Sequence, residues 1–310
     1  MRRRSTFVAV LVAALVSNGC LFRSHKVPTR TTITGVRTAD LAELVDTLNA
    51  RAANIKTLNA TVDIDTSVGG AKKGKVTEYQ EIRGYILVRK PEQLRMIGLL
   101  PVVRNRAFDM VSDSQGFKLY IPPKNRFIIG PLEVTHPSQN TLENLRPNVI
   151  YNALLVPSVD PKDEIAVLEN TSEIVTDAKT KKEVEVPTYT LDIIHHGKTG
   201  WYLSRRIIFS RLDLLPSRQL EYDKNGNLAT DARYADYKTF GSLMFPGHIE
   251  IHRPQEEYTI GLTVLKLTIN EEIKDEQFAL SQPAGAQVVH LDSGNGTTAE
   301  TPGGDGEKKQ

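Results

Sequence analysis

Apolar residues recur at helical spacing near residue 40 of the chain. The intervals of three and four residues place them on one face of an α-helix. The residues of this face are Leu41, Leu44, Val45, Leu48, Ala52 and Ile55. Asp40 precedes the run and Glu43 follows three residues later, as in an N-terminal capping box. The pattern predicts an amphipathic helix that needs an apolar surface to cover.

From residue 57 onward the pattern changes to the alternation typical of β-strands. The apolar residues of the first two predicted strands are Leu58, Ala60, Val62 and Ile64, then Ile82, Ile86 and Val88. Similar short segments recur every 10–15 residues, with turn sequences such as KNGN at 224–227 between them. No alternation of strand and helix appears. The sequence therefore predicts an antiparallel sheet with hairpin connections.

A second helical region, SQNTLENLRPNVIYNALLVPS at 138–158, interrupts the strands. Pro147 is expected to end or kink a first helix, and Asn148 to cap a second one. The apolar residues of the region are Leu142, Leu145, Val149, Ile150, Leu154 and Leu155. Both helical pieces must then lie on the apolar face of the sheet.

The N-terminus has the parts of an export signal. Three arginines at 2–4 precede an apolar run at 7–16, which is too short to span a bilayer, where roughly twenty residues are needed. We predict a signal peptide at 1–19, an acylated cysteine and flexible tether at 20–38, one domain at 39–291 and a disordered tail at 292–310.

The apolar run ends at Cys20, the only cysteine in the chain. Gly19 followed by Cys20 resembles the lipobox of bacterial lipoproteins, in which the signal is cut before a cysteine that becomes lipid-modified. Ser17 stands where that pattern usually has leucine. Leu21 replaces the aspartate that retains some lipoproteins in the inner membrane. The resemblance implies an outer-membrane lipoprotein of the cell envelope, facing the periplasm. An uncleaved anchor and ordinary signal cleavage nearby remain alternatives.

Charge and motifs exclude several functions. Removing residues 1–19 takes three arginines from 39 basic residues, leaving 36 against 37 acidic ones. This balance argues against a nucleic-acid partner. His248, Glu250 and His252 share a strand face, but the two histidines would lie about 13 Å apart, too far for one metal ion. Without a hydrolase or phosphate-loop motif, we expect no catalytic residues, no cofactor and no metal.

Several segments together resemble a known group of proteins. They are GYILVRKPEQLRMIG, DSQGFKLYIPPKNRFIIG, the helical insert, and closing strands such as LPSRQLEYDKNGN and FPGHIEIHR. This order is similar to the LolA/LolB family of outer-membrane lipoprotein-sorting proteins, over roughly residues 40–290. The resemblance implies a mainly β fold with an α lid. That fold is an incomplete antiparallel barrel of about 10–11 strands around an apolar cavity, and its members bind acyl chains without being enzymes.

The concave face of such a sheet is the predicted lipid-binding cavity. Its expected residues are Ile64, Ile86, Val88, Leu94, Met96, Phe108, Met110, Phe117, Leu119, Leu191 and Ile193. Burying acyl carbons there would contribute about 0.8 kcal/mol per methylene. The same residues would equally suit a packed core beneath two helices, and the sequence leaves both readings open.

Two further sites follow from the resemblance. The segment GLLPVVRN at 98–105 is apolar where a turn is usually polar, so Leu99, Leu100, Val102 and Val103 are expected to contact a membrane. The alternatives are a loop folded back onto the sheet, or a strand that continues through residues 102–103. Lys90, directly before a proline, is a possible lid contact, or else an exposed lysine at a strand end.

These features predict a membrane-anchored periplasmic lipoprotein that binds acyl chains of lipoproteins or lipids and transfers or receives them at the outer membrane. Its expected partners are those acyl chains, the membrane through its N-terminal lipid, and a soluble periplasmic carrier. The alternative is the same fold acting as a protein-interaction or envelope-stress sensing module without lipid transport.

Overall fold

The computed structural model describes residues 31–32, 35–72, 74–132, 144–177 and 180–291. The predicted signal peptide at 1–19, Cys20 and the predicted tail at 292–310 lie outside the described residues. So does most of the predicted tether. The predicted domain at 39–291 supplies nearly all of the structure that follows.

Helix α1 spans Leu41–Asn54, where the apolar periodicity predicts it. The Asp40 side chain accepts a hydrogen bond from the Glu43 amide at 2.9 Å, and the Glu43 side chain accepts one from the Asp40 amide at 3.0 Å. These reciprocal bonds satisfy amides that have no partner within the helix. The predicted capping box is therefore confirmed.

Helix α2 spans Pro147–Leu154. Its N-cap is Arg146 and its first residue is Pro147, so the prediction that Asn148 caps the helix was wrong. Proline suits the first helical position because its missing N–H would have no partner there and its φ is already helical. The first helical piece predicted for this region falls largely on 133–143, outside the described residues.

The strands make up most of the described chain. They are β1 (Thr31–Thr32), β2 (Thr57–Gly70), β3 (Lys75–Arg89), β4 (Gln93–Leu99), β5 (Arg106–Ser112), β6 (Phe117–Ile121), β7 (Arg126–Gly130), β8 (Glu164–Thr176), β9 (Glu183–Gly197), β10 (Gly200–Ser210), β11 (Pro216–Tyr222), β12 (Leu228–Ala235), β13 (Lys238–Phe240), β14 (Leu243–Phe245), β15 (His248–Arg253), β16 (Tyr258–Ile269) and β17 (Gln287–His290).

Fifteen of these strands form one sheet in the order β1-β9-β10-β11-β12-β15-β16-β2-β3-β4-β5-β6-β7-β17, with β8 paired to β9. Strands β13 and β14 form a separate hairpin. The pairs are antiparallel except β1 with β9 and β17 with β7. The described path runs from β1 to β17 without closing on itself, so the predicted open antiparallel architecture is confirmed.

The sheet has more strands than the 10–11 predicted. Strands β1, β13, β14 and β17 contain only two to four residues, too few for an alternating pattern to be read. Strand β8 was missed because apolar residues occupy both of its faces. Ile165 and Val167 face outward while Ala166 and Leu168 pack inward, which removes the alternation.

The position of α2 shows how strongly the sheet curves. This helix contacts both β5 and β15. Five inter-strand steps separate these two strands in the sheet order, about 24 Å if the sheet were flat. A helix is only about 10 Å across. The sheet must therefore bend around α2, which gives an incomplete barrel with α2 inside its concave face.

Two apolar clusters lie on the inner face. The larger joins β2–β7, β12 and β14–β16 to α2. The smaller lies beneath α1 and contains Leu44 and Leu48 of that helix with residues of β9 and β10. Val156, in the segment that follows α2, packs against both clusters. The two helices thus cover neighbouring parts of one inner surface.

Candidate functional site

The inner face of the curved sheet brings together most of the predicted lipid-binding residues. Seven of them are buried in the larger cluster and two more pack against it while partly buried. The buried residues are Ile64, Ile86, Val88, Leu94, Met96, Met110 and Phe117, and the partly buried ones are Phe108 and Leu119. Their side chains alternate along β2–β6, so the strand periodicity places them on one surface.

Leu191 and Ile193 do not join that surface. Both are buried in the smaller cluster beneath α1. They lie on β9, which is near the opposite end of the sheet from β3–β5 in strand order. Alternation along β9 correctly indicated an inward-facing pair, but it could not show which helix covers them.

Helix α2 fills the space in front of the larger cluster. Val149, Ile150, Ala153 and Leu154 are all buried there. Opposite them, Ile86, Val88 and Leu94 are 0% exposed, so no water-sized space adjoins these side chains in the described structure. In this conformation the inner face around these side chains is a packed core.

Few polar bonds from α2 reach the sheet. The Tyr151 hydroxyl donates to the Pro91 carbonyl at 2.6 Å, and the Asn152 amide nitrogen donates to the Glu221 carboxylate at 3.1 Å. Burial, aided by the charge of Glu92, raises the pKa of Tyr151 to about 12. The hydroxyl therefore remains a donor throughout the physiological range. The polar residues of this helix are Asn148, Tyr151 and Asn152, and the buried Asn148 Oδ1 has no hydrogen-bond partner in the described structure.

The segment after α2 is firmly fixed. Arg205 donates to the Pro157 carbonyl at 2.7 Å, to the Ser158 carbonyl at 2.9 Å and to Glu164 at 2.8 Å. The Asn49 side chain on α1 accepts a bond from the Val159 amide at 2.8 Å. This side of α2 is therefore tied to both α1 and β10.

The turn between β3 and β4 contacts both helices. The Lys90 ammonium donates to the Ala52 carbonyl in the last turn of α1. Burial lowers the pKa of this lysine. The neighbouring Pro91 carbonyl accepts the bond from Tyr151 on α2. Lys90 thus binds the helix over the smaller cluster, and the next residue binds the helix over the larger one.

The predicted membrane loop connects β4 to β5. Leu99 and Leu100 are half-buried, whereas Val102 is 98% exposed and Val103 is 63% exposed. Val102 also has a φ of 66°, in the left-handed region that β-branched residues rarely adopt. Arg104 and Arg106 are exposed beside it. An apolar tip flanked by cations is a suitable surface for an anionic membrane.

The two strand histidines that the sequence placed on one face, His248 and His252, each contact a threonine hydroxyl. The His248 ring lies 3.2 Å from the Thr263 hydroxyl and the His252 ring 3.0 Å from the Thr259 hydroxyl, each across a strand pair. Within the described ranges, no three His, Cys, Asp or Glu side chains are close enough together to bind a metal ion. No helix there is long and apolar enough to cross a bilayer.

Comparison with known proteins gives similarity in structure rather than in sequence. No protein-family profile matches the chain, and no curated protein matches it. A LolA superfamily protein from Nitrosomonas europaea aligns over 76% of this chain and 97% of its own, with 14% identity and a TM-score of 0.46. A DUF1329 family protein from Desulfovibrio piger covers 76% of this chain and 94% of its own, with 13% identity and a TM-score of 0.47.

A third solved structure is described as an outer-membrane lipoprotein-sorting protein domain from Vibrio parahaemolyticus. It covers 76% of this chain and 94% of its own, with 13% identity and a TM-score of 0.46. The fold of this chain is similar to the folds of these three proteins. At these identities the likeness is one of fold, and no ligand or residue role follows from it for this chain.

Proposed function

We propose that this protein is a non-enzymatic, membrane-anchored lipoprotein of the periplasm that binds acyl chains on its inner face and receives or transfers them at the outer membrane. The observation that carries the proposal is the mainly apolar contact between α2 and the inner face of the sheet. This helix occupies the inner face of the LolA/LolB-like sheet with aliphatic side chains, and two side-chain hydrogen bonds from its described residues reach the sheet. The contact between α2 and the inner face is therefore mainly apolar, which is the kind of contact that an acyl chain can replace.

Burial of the apolar side chains of α2 and burial of an acyl chain on the inner face contribute free energies of similar size. Burial of Val149, Ile150 and Leu154 contributes about 5–9 kcal/mol, at about 1.5–3 kcal/mol for each large aliphatic side chain. An acyl chain of about fourteen methylenes contributes about 11 kcal/mol at about 0.8 kcal/mol each. Exchange of α2 for an acyl chain is therefore close to balanced, as release to a second acceptor requires.

The experiment that tests this proposal is acyl binding by the mature chain. Residues 20–310 carrying Cys20→Ser are purified, extracted for bound lipid by mass spectrometry, and titrated with a fluorescent fatty-acyl probe. We expect co-purified acyl lipid and saturable probe binding. Absence of both would rule the proposal out.

Tyr151→Phe should increase acyl binding. The change removes the bond from α2 to the Pro91 carbonyl, worth about 1 kcal/mol, while keeping the ring. The closed form loses that stabilisation, so probe affinity should rise about fivefold. Tyr85→Phe, at an exposed tyrosine of β3, is the matched control and should have no effect. Equal affinity in both variants would show that α2 does not gate the interior.

The exposed valine loop should contribute to membrane contact. Val102→Asn with Val103→Asn removes its apolar tip, and asparagine tolerates the left-handed backbone at residue 102. We expect binding to anionic vesicles to fall about tenfold, since each valine contributes about 1.5 kcal/mol or less when partly buried. Val175→Asn, 41% exposed at the opposite end of the strands, is the control. Vesicle binding is measured by co-sedimentation. If Val175→Asn lowers vesicle binding as much as the double valine variant does, the loop has no specific role in membrane contact.

The packed inner face also favours a second candidate function. A module that senses or binds a protein partner needs no lipid space, and Ile86, Val88 and Leu94 are fully buried here. Capture of one stable protein partner, with an affinity that the acyl probe leaves unchanged, would support that function over the first.

A further inference from the structure

A small cavity lies where the two helices and the β13–β14 hairpin meet. It has a volume of about 30 Å³, enough for one or two water molecules. Its apolar lining includes Leu48 in the middle of α1 and Ile55 at its C-terminal end, Leu154 at the end of α2, and Phe245 on β14. Because Leu154 and Phe245 also belong to the larger apolar cluster, the cavity adjoins the space that α2 occupies.

One polar group in this lining has no explained role. Tyr234 lines the cavity, and its buried hydroxyl has no hydrogen-bond partner in the described structure. Burial raises the pKa of Tyr234 well above its usual value, so the hydroxyl remains a donor. Its neighbour Tyr237 differs, since that hydroxyl donates to the Pro216 carbonyl at 2.8 Å. A buried donor without an acceptor is costly, and natural proteins rarely keep one without a functional reason.

A cation lies at the same cavity. Arg51, in the last turn of α1, lines it and donates one bond to the Met244 carbonyl at 3.1 Å. A guanidinium has five N–H donors, so Arg51 has capacity for a second acceptor. The cavity therefore combines an apolar wall, one neutral donor and one positive charge. Its complement is an oxygen acceptor at the end of a hydrocarbon chain.

We propose that Tyr234 and Arg51 form a subsite for the carbonyl end of a bound acyl chain, with the hydrocarbon lying along the inner face that α2 vacates. The Tyr234 hydroxyl donates to the carbonyl oxygen. Arg51 adds attraction when that end is an ionised carboxylate. This assignment rests on the proposed acyl-binding function and adds to it the orientation of the ligand.

The test compares two competitors of the fluorescent acyl probe, hexadecanoate and its methyl ester, on the mature chain with Cys20→Ser. Tyr234→Phe should weaken both competitors about fivefold, because both offer a carbonyl oxygen. Arg51→Gln should weaken hexadecanoate about tenfold and the uncharged ester less than twofold. Tyr85→Phe is the control. The ratio of the two affinities of the wild type, for hexadecanoate and for its methyl ester, shows whether the preferred ligand is a free fatty acid or an ester-linked chain.

Thermal stability distinguishes this role from a structural one. Tyr234→Phe removes a buried donor without a partner, so the ligand-free protein should melt about 2–4 °C higher even as binding weakens. A lower melting temperature with unchanged competitor binding would mean that the hydroxyl holds a structural water, and the subsite would be wrong.

Failure of the subsite is distinguishable from failure of the proposed function. If the wild type binds both competitors and neither variant changes their affinities, acyl binding stands and the subsite falls. If the wild type binds no probe at all, the proposed function fails and the subsite fails with it.

Discussion

Ile150→Ala is expected to lower the free energy of unfolding by about 2–5 kcal/mol and, at the same time, to strengthen acyl binding. Ile150 is 1% exposed and lies on the buried face of α2. Its truncation weakens the packing of the helix against the sheet but leaves the inner face intact. Since the closed form competes with the ligand, probe affinity should rise about tenfold or more. Urea unfolding and probe titration measure the two effects.

Ile193→Ala is the matched control for that change. Ile193 is also an isoleucine, is 0% exposed, and lies in the smaller cluster beneath α1. Its truncation should cause a similar loss of stability with no gain in probe affinity. If the two variants alter probe binding equally, loss of stability alone explains the gain and α2 has no special role.

Asp109→Ala should destabilise the protein by about 3–5 kcal/mol without a direct effect on the acyl site. Asp109 is 0% exposed and accepts bonds from Arg95 at 2.7 and 3.0 Å and from Arg106 at 2.9 Å. Arg95 also donates to the Gln277 carbonyl, which joins β4 to the C-terminal segment. Removing the carboxylate leaves Arg95, only 13% exposed, without its counter-charge. The midpoint of urea unfolding measures the loss.

Asp63→Ala is the comparison for Asp109. Asp63 pairs with Arg83 at 2.6 Å, but Arg83 is 51% exposed. Exposed ion pairs contribute about 1 kcal/mol or less because water screens them. A loss for Asp63→Ala as large as that for Asp109→Ala would show that burial does not set the strength of these pairs.

Local sequence signals predicted the elements that depend on local chemistry. The capping pair Asp40 and Glu43, and the alternation of Leu58, Ala60, Val62 and Ile64, gave α1 and β2 nearly residue by residue. These signals work because capping and one-sided burial are decided within a few residues of the chain.

Features that depend on contacts between distant segments of the chain could not be predicted from the sequence. Strand β8 carries apolar residues on both faces, and the pairing of β17 with β7 joins segments more than 150 residues apart. The choice between an open cavity and a packed core depends on where α2 docks, which no local pattern fixes. Tyr234 and Arg51 line one cavity although they lie on β12 and α1, far apart in the chain, so sequence alone gave no reason to pair them.

Hydrogen–deuterium exchange of α2 with and without acyl ligand tests the central claim most directly. Amides of residues 148–154 should exchange faster when the fluorescent acyl probe saturates the mature chain, because the ligand takes the place of the helix. Amides of β9 and β10 beneath α1 should keep their protection. Unchanged or slower exchange across 148–154 at saturating probe would contradict the account, since the ligand would then bind without displacing α2.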